Sequence, residues 1–172
     1  MKLQVRHVFD CTPEEFWNLF WDPAYDAALQ ARNGNEVKRE LLEERDVAGK
    51  RHLRYRFTPK KTLPAPVAAL AKTDRLIYEQ DNVFDRASGL LTWRVRPSVV
   101  PDKVTAEGTF RVTPRAGGGC DRAVEGTIEV RVPFFGGKIE EAIVNDVKNA
   151  YEVATTVMND LIRKNKANKA DG

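Results

Sequence analysis

Alternating apolar and polar residues predict strands along most of the chain. Leu3, Val5, His7 and Phe9 occupy every second position, which is the period of a strand with one buried face. Further strands are predicted over residues 36–45, 51–57, 74–82, 90–97 and 103–113, and after the glycine turn at residues 117–119. Because most of these segments have one apolar and one polar face, they indicate an antiparallel sheet with a single buried surface.

Two short helices are predicted directly after the first strand. In the stretch CTPEEFWNLFWDP, Thr12 is a good N-cap, Pro13 suits the first helical position and Glu15 completes a capping box. Pro23 ends the first helix, and a second short helix follows it. Glu14 and Glu15 are better explained by the positive end of the helix dipole than by a catalytic pair of carboxylates.

The last element is a long helix that begins just after Gly136-Gly137, without a connecting loop. It is predicted from Lys138 to about Lys164, followed by a disordered polar tail over residues 165–172. Its apolar stripe at helical spacing consists of Ile139, Ile143, Val147, Ala150, Ala154, Val157 and Leu161. A helix of about 26 residues is roughly 39 Å long, which is enough to cross the sheet.

The order of these elements predicts one α+β domain over residues 1–164. A curved antiparallel sheet of about seven strands would bury its apolar face against the long helix. The proline-rich segment after the third strand interrupts the pattern, and is expected to form a loop with one helical turn around residues 64–70.

Composition excludes several classes of protein. Of the 172 residues, 42% are hydrophobic, and 28 basic against 25 acidic residues give a net charge of +3, too small for a nucleic-acid-binding protein. We expect neither a signal peptide nor a transmembrane segment, and therefore a cytoplasmic location. No phosphate-binding loop, metal-ligand cluster or serine-hydrolase motif is present, so no cofactor and no metal are expected. Cys11 and Cys120 are expected to be free thiols, although pairing of the first and last strands would bring them close.

Certain motifs resemble the START-like, helix-grip superfamily, which includes birch-pollen-allergen-like proteins and polyketide cyclases. The resemblance rests on TPEEFW followed by DPAY and on the junction VPFFGGKIEEAI. It is narrower for a bacterial START-like family without an assigned function, in which a strand ending in VP and the stretch GGKIE begin the last helix. A looser similarity to sterol-binding START-like modules lies in EEFWNLFWDPAY and RHLRYRF.

The resemblance implies a ligand cavity between the sheet and the long helix. Its expected walls are Tyr55, Phe57, Tyr78, Trp93, Val95 and Phe110 from the strands, and Ile143, Val147, Ala150, Tyr151 and Ala154 from the helix. The segment from Pro64 to Leu70 would stand at its mouth. Such a cavity would take a hydrophobic small molecule such as a lipid or a sterol.

Three functions stay open at this point. The first is a non-catalytic carrier or sensor, whose partners would be a hydrophobic ligand and, transiently, a membrane. The second is a cyclase- or hydratase-type enzyme in which His7 and a tyrosine move protons, whereas the simpler interpretation of His7 is a core histidine with a hydrogen-bond partner. The third is a structural domain with a filled core. The outward arginines 54, 56, 94, 96 and 111 are interpreted as a solvated sheet face rather than a basic patch.

Overall fold

The computed structural model describes residues 1–34 and 36–172 of the chain. Seven strands form one antiparallel sheet in the order β1-β7-β6-β5-β4-β3-β2. The strands are β1 (Lys2–Phe9), β2 (Val37–Val47), β3 (Lys50–Pro59), β4 (Tyr78–Asp85), β5 (Leu90–Pro97), β6 (Val104–Pro114) and β7 (Cys120–Val130). The helices are α1 (Pro13–Phe20), α2 (Pro23–Arg32), α3 (Ala65–Ala71) and α4 (Gly136–Ala170), with a 3-10 turn at Pro101–Lys103.

The predicted α+β helix-grip architecture is confirmed. Strands β2 to β7 form a meander, and β1 pairs with β7, so that the first and last strands are neighbours. The predicted capping box of α1 is present, because the Thr12 hydroxyl accepts from the Glu15 amide while the Glu15 carboxylate accepts from the Thr12 amide. The proline-rich segment forms α3, seven residues long, where one helical turn was expected.

The long helix extends further than its apolar stripe predicts. Residues 165–170, which were expected to be disordered, continue α4 to Ala170. Lysine and alanine, which make up four of these six residues, are good helix formers, and Lys166 also pairs with Asp10 at 2.6 Å and Lys169 with Glu15 at 2.8 Å. These exposed ion pairs connect the C-terminal end of α4 with α1 and the residues before it, and each adds little stability.

An aromatic cluster fills the inner face of the sheet beneath α1. Trp17 is central, with its ring centroid 4.5 Å from that of Phe84 and 5.4 Å from that of Phe110. Phe9 and Phe16 complete the buried group. Trp17 is therefore a core residue, and this end of the molecule is packed with side chains.

The two cysteines lie together beside this cluster. Phe9 of β1 is paired with Cys120 of β7, which brings Cys11 and Cys120 to a sulfur–sulfur distance of 3.9 Å. Both are free thiols and both are buried. The hydrogen bond between the sulfurs lowers the pKa of Cys11 and raises that of Cys120.

The junction between β7 and α4 explains why the sequence has two glycines there. Gly136 is buried, and a Cβ atom on it would overlap the backbone carbonyl of Val130. The helix is held at this distance because the Val130 amide donates to the Glu140 carboxylate at 2.9 Å. Gly136 thus permits the close approach of helix and strand, whereas Gly137 has no neighbouring atom within 4 Å of an added Cβ.

The neighbouring glycines supply a matched pair of substitutions. Gly136→Ala is expected to lower the free energy of unfolding by about 2 kcal/mol, because the methyl group forces α4 away from β7. Gly137→Ala is expected to raise it by about 0.5 kcal/mol, because alanine is the better helix former. Urea denaturation followed by circular dichroism measures both values. Equal effects of the two substitutions would contradict the role given to Gly136.

Candidate functional site

A buried arginine lies beneath the middle of α4. Arg122 of β7 is 1% exposed, and its Nη2 atom donates to Thr155 Oγ1 at 2.7 Å and to His7 Nδ1 at 2.8 Å. Its guanidinium group also lies over the rings of Phe9 and Tyr151, at 5.2 and 5.0 Å from their centroids. Burial lowers the pKa of Arg122 because the cation is removed from water.

His7 connects this arginine to a carboxylate. Arginine can only donate hydrogen bonds, so His7 Nδ1 is the acceptor and the ring proton is on Nε2. Nε2 then donates to the Glu152 carboxylate at 2.9 Å. Both ring nitrogens are therefore occupied, and His7 is a positioning group for Arg122 rather than the free acid or base that the enzyme hypothesis requires.

Arg122 is a residue that the sequence interpretation missed. It is in phase with Val124 and Ile128, both inward-facing and buried. The signal was thus present in the alternation of β7, but a charged residue is normally assigned to the solvent face because its burial is rare.

The second region of interest is the inner face of β3, β4 and β5, which α4 covers incompletely. The main packing partners of α4 are β7, α2, β1 and α1. Opposite its N-terminal half, the predicted wall residues Phe57, Tyr78, Trp93 and Val95 are only partly buried. The rings of Phe57 and Tyr78 stack with their centroids 4.9 Å apart. We call the surface formed by these four residues with Ile143, Val147 and Tyr151 of α4 the inner groove.

The remaining predicted wall residues lie around this groove or beneath it. Tyr55, Phe110 and Ala154 are buried, and Arg39 stacks on the Tyr55 ring at 3.9 Å. Ala150 is exposed, although the apolar stripe was expected to turn it inward. It lies four residues after Asp146, and thus on the flank of α4 that faces the segment following β3.

That segment forms a flap over the open side of the sheet. Backbone pairing of Thr62 with Arg75 closes it at its base, and α3 forms its tip. Lys61 Nζ contacts the Asp146 carboxylate of α4 at 2.8 Å. Both side chains are exposed, so this ion pair contributes little stability and can open readily.

Polar atoms without protein partners are present in the inner groove. Trp93 Nε1 is buried, and no acceptor for it exists in the described part of the chain. Burial raises the pKa of Tyr78 and of Tyr151 to about 12. The two phenols are therefore neutral donors at physiological pH. Beside them on the same face, Gln80 donates to Asn82 at 2.8 Å.

The outer face of the sheet carries the arginines, and four of them, Arg54, Arg56, Arg94 and Arg96, are paired with carboxylates. Arg54 and Arg96 both bind Asp81, at 2.8 and 2.6 Å, and Arg94 binds Glu107 at 2.6 Å. Two depressions of about 220 and 460 Å³ lie on this face around Asp81 and between the paired side chains. Their walls mix charged side chains, such as those of Arg54, Asp81 and Glu107, with Val83, and they lie on the face of the sheet opposite to α4.

The fold is the helix-grip fold of START/SRPBCC-like proteins. It is similar to norcoclaurine synthase from Thalictrum flavum, with a TM-score of 0.62 and 13% identity over 94% of this chain and 86% of that one. It is also similar to the Zhui aromatase/cyclase from Streptomyces sp. R1128 (TM-score 0.60, 12% identity, 95% of each chain). A START superfamily protein from Mycobacterium smegmatis gives a TM-score of 0.57 and 11% identity over 93% of this chain and 98% of that one. At these identities the likeness establishes the fold alone.

The chain belongs to the family described as a protein of unknown function, DUF2505, whose model matches residues 4–162. An uncharacterized protein of Mycobacterium tuberculosis strain H37Rv is 32% identical over 82 residues, which are 47% of this chain and 47% of that protein. The match therefore spans about half the length of that relative. Across residues 1–34 and 36–172, no helix has both the length and the apolar composition needed to cross a membrane.

Proposed function

We propose that the protein binds an apolar small molecule carrying at least one hydrogen-bonding group, and that it does so in the inner groove as a carrier or sensor. The ligand would lie on Trp93 and Val95. The stacked pair of Phe57 and Tyr78 would be on one side of it, and the N-terminal half of α4 on the other. Burial of its apolar surface would provide most of the binding free energy. A sterol or a fatty acid has this combination of a large apolar body and a polar end.

The observation that carries the proposal is the unpartnered indole N–H of Trp93 on an otherwise aromatic surface. A buried indole N–H without an acceptor is costly, because its hydrogen bond to water is lost and not replaced. A ligand oxygen near Trp93 Nε1 would restore that bond. The hydroxyls of Tyr78 and Tyr151 would add further donors, which is why a polar end on the ligand is proposed in addition to its apolar body.

The geometry around His7 favours binding over catalysis. A cyclase- or hydratase-type mechanism needs a group that can accept or release a proton inside the groove. His7 donates to Glu152 and accepts from Arg122, so it has no free nitrogen for a substrate. The neutral tyrosines can orient a ligand but, with pKa values of about 12, are weak acids.

Filling the groove from α4 tests the proposal. Ala150→Trp is expected to lower the affinity for dansylaminoundecanoic acid and for dehydroergosterol by about tenfold or more, since the new indole would occupy the volume proposed for the ligand. Ala150 is exposed, so the folded state should tolerate the change. Energy transfer from tryptophan to each probe measures uptake, provided that each variant is titrated against its own unliganded signal.

Asn149→Trp is the matched control, because Asn149 is the preceding exposed residue and points to another side of the helix. It should leave the affinity unchanged. Undiminished uptake by the Ala150 variant would show that the ligand lies elsewhere. Failure of the wild-type protein to take up either probe, together with no co-purifying adduct in native mass spectrometry, would favour a structural domain with a filled core.

A further inference from the structure

Exposed apolar side chains are concentrated at one end of the molecule. Met1, Leu70, Ile77, Phe134 and Phe135 all belong to this end, and they account for five of the eight exposed large apolar residues in the described chain. Three connections meet there: residues 60–77 between β3 and β4, residues 98–103 between β5 and β6, and residues 131–135 between β7 and α4. We call these three connections the apolar edge.

Backbone hydrogen bonds hold the connections of the apolar edge together. The Ser98 amide donates to the Ile77 carbonyl at 2.8 Å, and the Arg131 amide donates to the Lys103 carbonyl at 2.7 Å. Phe57 and Tyr78 of the inner groove are paired at the same end of β3 and β4. The apolar edge is therefore next to the open end of the groove.

Phe134 is the most unusual residue of this edge. Its side chain is 98% exposed, so it makes almost no contact with the rest of the chain. Its backbone is in the left-handed region, with φ of +63°, which is unfavourable for a bulky residue. Packing within this chain explains neither feature, whereas both are expected of a ring that is presented to another surface.

The charge of the apolar edge indicates the kind of surface. Its three connections contain six basic residues, Lys60, Lys61, Lys72, Arg75, Lys103 and Arg131, against the acidic residues Asp74 and Asp102. The three connections themselves have a net charge of +4, and the nearby carboxylates of Glu36, Glu129 and Asp146 offset part of it, the last two by pairing with Arg131 and Lys61. Lys60, Lys72, Arg75 and Lys103 thus leave positive charge around the exposed apolar side chains.

We propose that the apolar edge docks on an anionic lipid bilayer, with Phe134 inserted at the level of the headgroups. Aromatic rings flanked by lysine and arginine are the combination that binds such an interface. A second copy of this chain fits less well, because two positively charged edges would repel each other. The inference rests on the proposed function, because docking would bring the inner groove to the membrane from which an apolar ligand is taken or to which it is delivered.

Co-sedimentation of the full chain with vesicles tests the proposal. The wild-type protein should bind phosphatidylcholine vesicles with about 30 mol% phosphatidylserine at least tenfold more tightly than vesicles of phosphatidylcholine alone. Phe134→Ser should lower the affinity for the anionic vesicles by about tenfold, because the inserted ring is lost. Phe134→Trp should retain binding, and its added fluorescence should shift to shorter wavelength on the vesicles. Val8→Ser is the matched control, since Val8 is 52% exposed at the opposite end of β1.

Three outcomes would overturn the proposal: no vesicle binding by the wild type, an equal loss in the Val8 and Phe134 variants, or a dimer in sedimentation velocity that disappears with Phe134→Ser. The last would identify the edge as a contact between copies. Uptake of dansylaminoundecanoic acid from solution is measured on the same variants. Vesicle binding without probe uptake contradicts the groove alone, whereas probe uptake without vesicle binding contradicts the docking edge alone.

Discussion

Replacing Arg122 by alanine is expected to lower the free energy of unfolding by about 3 kcal/mol, as measured by urea denaturation. Truncation of a large core side chain leaves a cavity, which typically costs about 2–5 kcal/mol. The loss of its hydrogen bond also leaves His7 Nδ1 as a buried acceptor without a donor, at about 1–3 kcal/mol. One effect partly offsets both terms. The wild-type protein must remove the guanidinium cation from water when it folds, and the alanine variant avoids this cost.

Arg122→Met separates packing from charge. Methionine fills much of the same volume without a charge, so its cost should be about 1 kcal/mol, which is the remaining price of the unsatisfied histidine. A second substitution, His7→Phe, removes that acceptor and should make the Arg122→Met change nearly neutral. If methionine is as destabilising as alanine in both backgrounds, the charge of Arg122 itself stabilises the fold, contrary to this account.

The sequence predicts those features of this structure that follow from the local alternation of apolar and polar residues. The alternation in β1 identifies Leu3, Val5 and Phe9 as buried, because a strand with one face on the core must have a period of two. The same alternation contains Arg122, but the partners that make its burial tolerable come from β1 and α4. Those contacts join residues more than twenty positions apart, and no local pattern encodes them.

The candidate site shows the same limit. The apolar stripe of α4 is real, yet its centre is shifted, because Val144, Met158 and Ile162 are buried while Ala150 is exposed. The helical period predicts which side of the helix is apolar only to within about one residue position. In the structure the most apolar side of α4 faces β7 and β1 rather than β3 and β4. The aromatic residues of the groove could be identified because they are large and in phase. The unpartnered state of Trp93 Nε1 requires coordinates.

The last expected result concerns the floor of the groove. Gly108 of β6 and Gly126 of β7 are directly paired, and the indole of Trp93 covers both. A Cβ atom on Gly126 would lie 2.6 Å from Trp93 Cζ2 and 2.6 Å from the Glu107 carbonyl oxygen. Gly126→Ala is therefore expected to lower the free energy of unfolding by about 3 kcal/mol, at the upper end for an overpacked core.

The same substitution should affect the proposed function. The added methyl group would push the Trp93 indole into the groove, where it would occupy space proposed for the ligand. We expect uptake of dehydroergosterol to fall about tenfold in Gly126→Ala, measured well below its unfolding temperature. Combining it with Trp93→Leu removes one of the two overlaps and should recover about 1 kcal/mol of stability, while the overlap with the Glu107 carbonyl persists.

The control is Gly117→Ala, in a turn where an added Cβ meets no atom within 4 Å. There φ is +86°, so some stability should be lost without any change in uptake. A loss of uptake in the Gly117 variant as large as that in the Gly126 variant would mean that general destabilisation, and not the displaced indole, closes the groove.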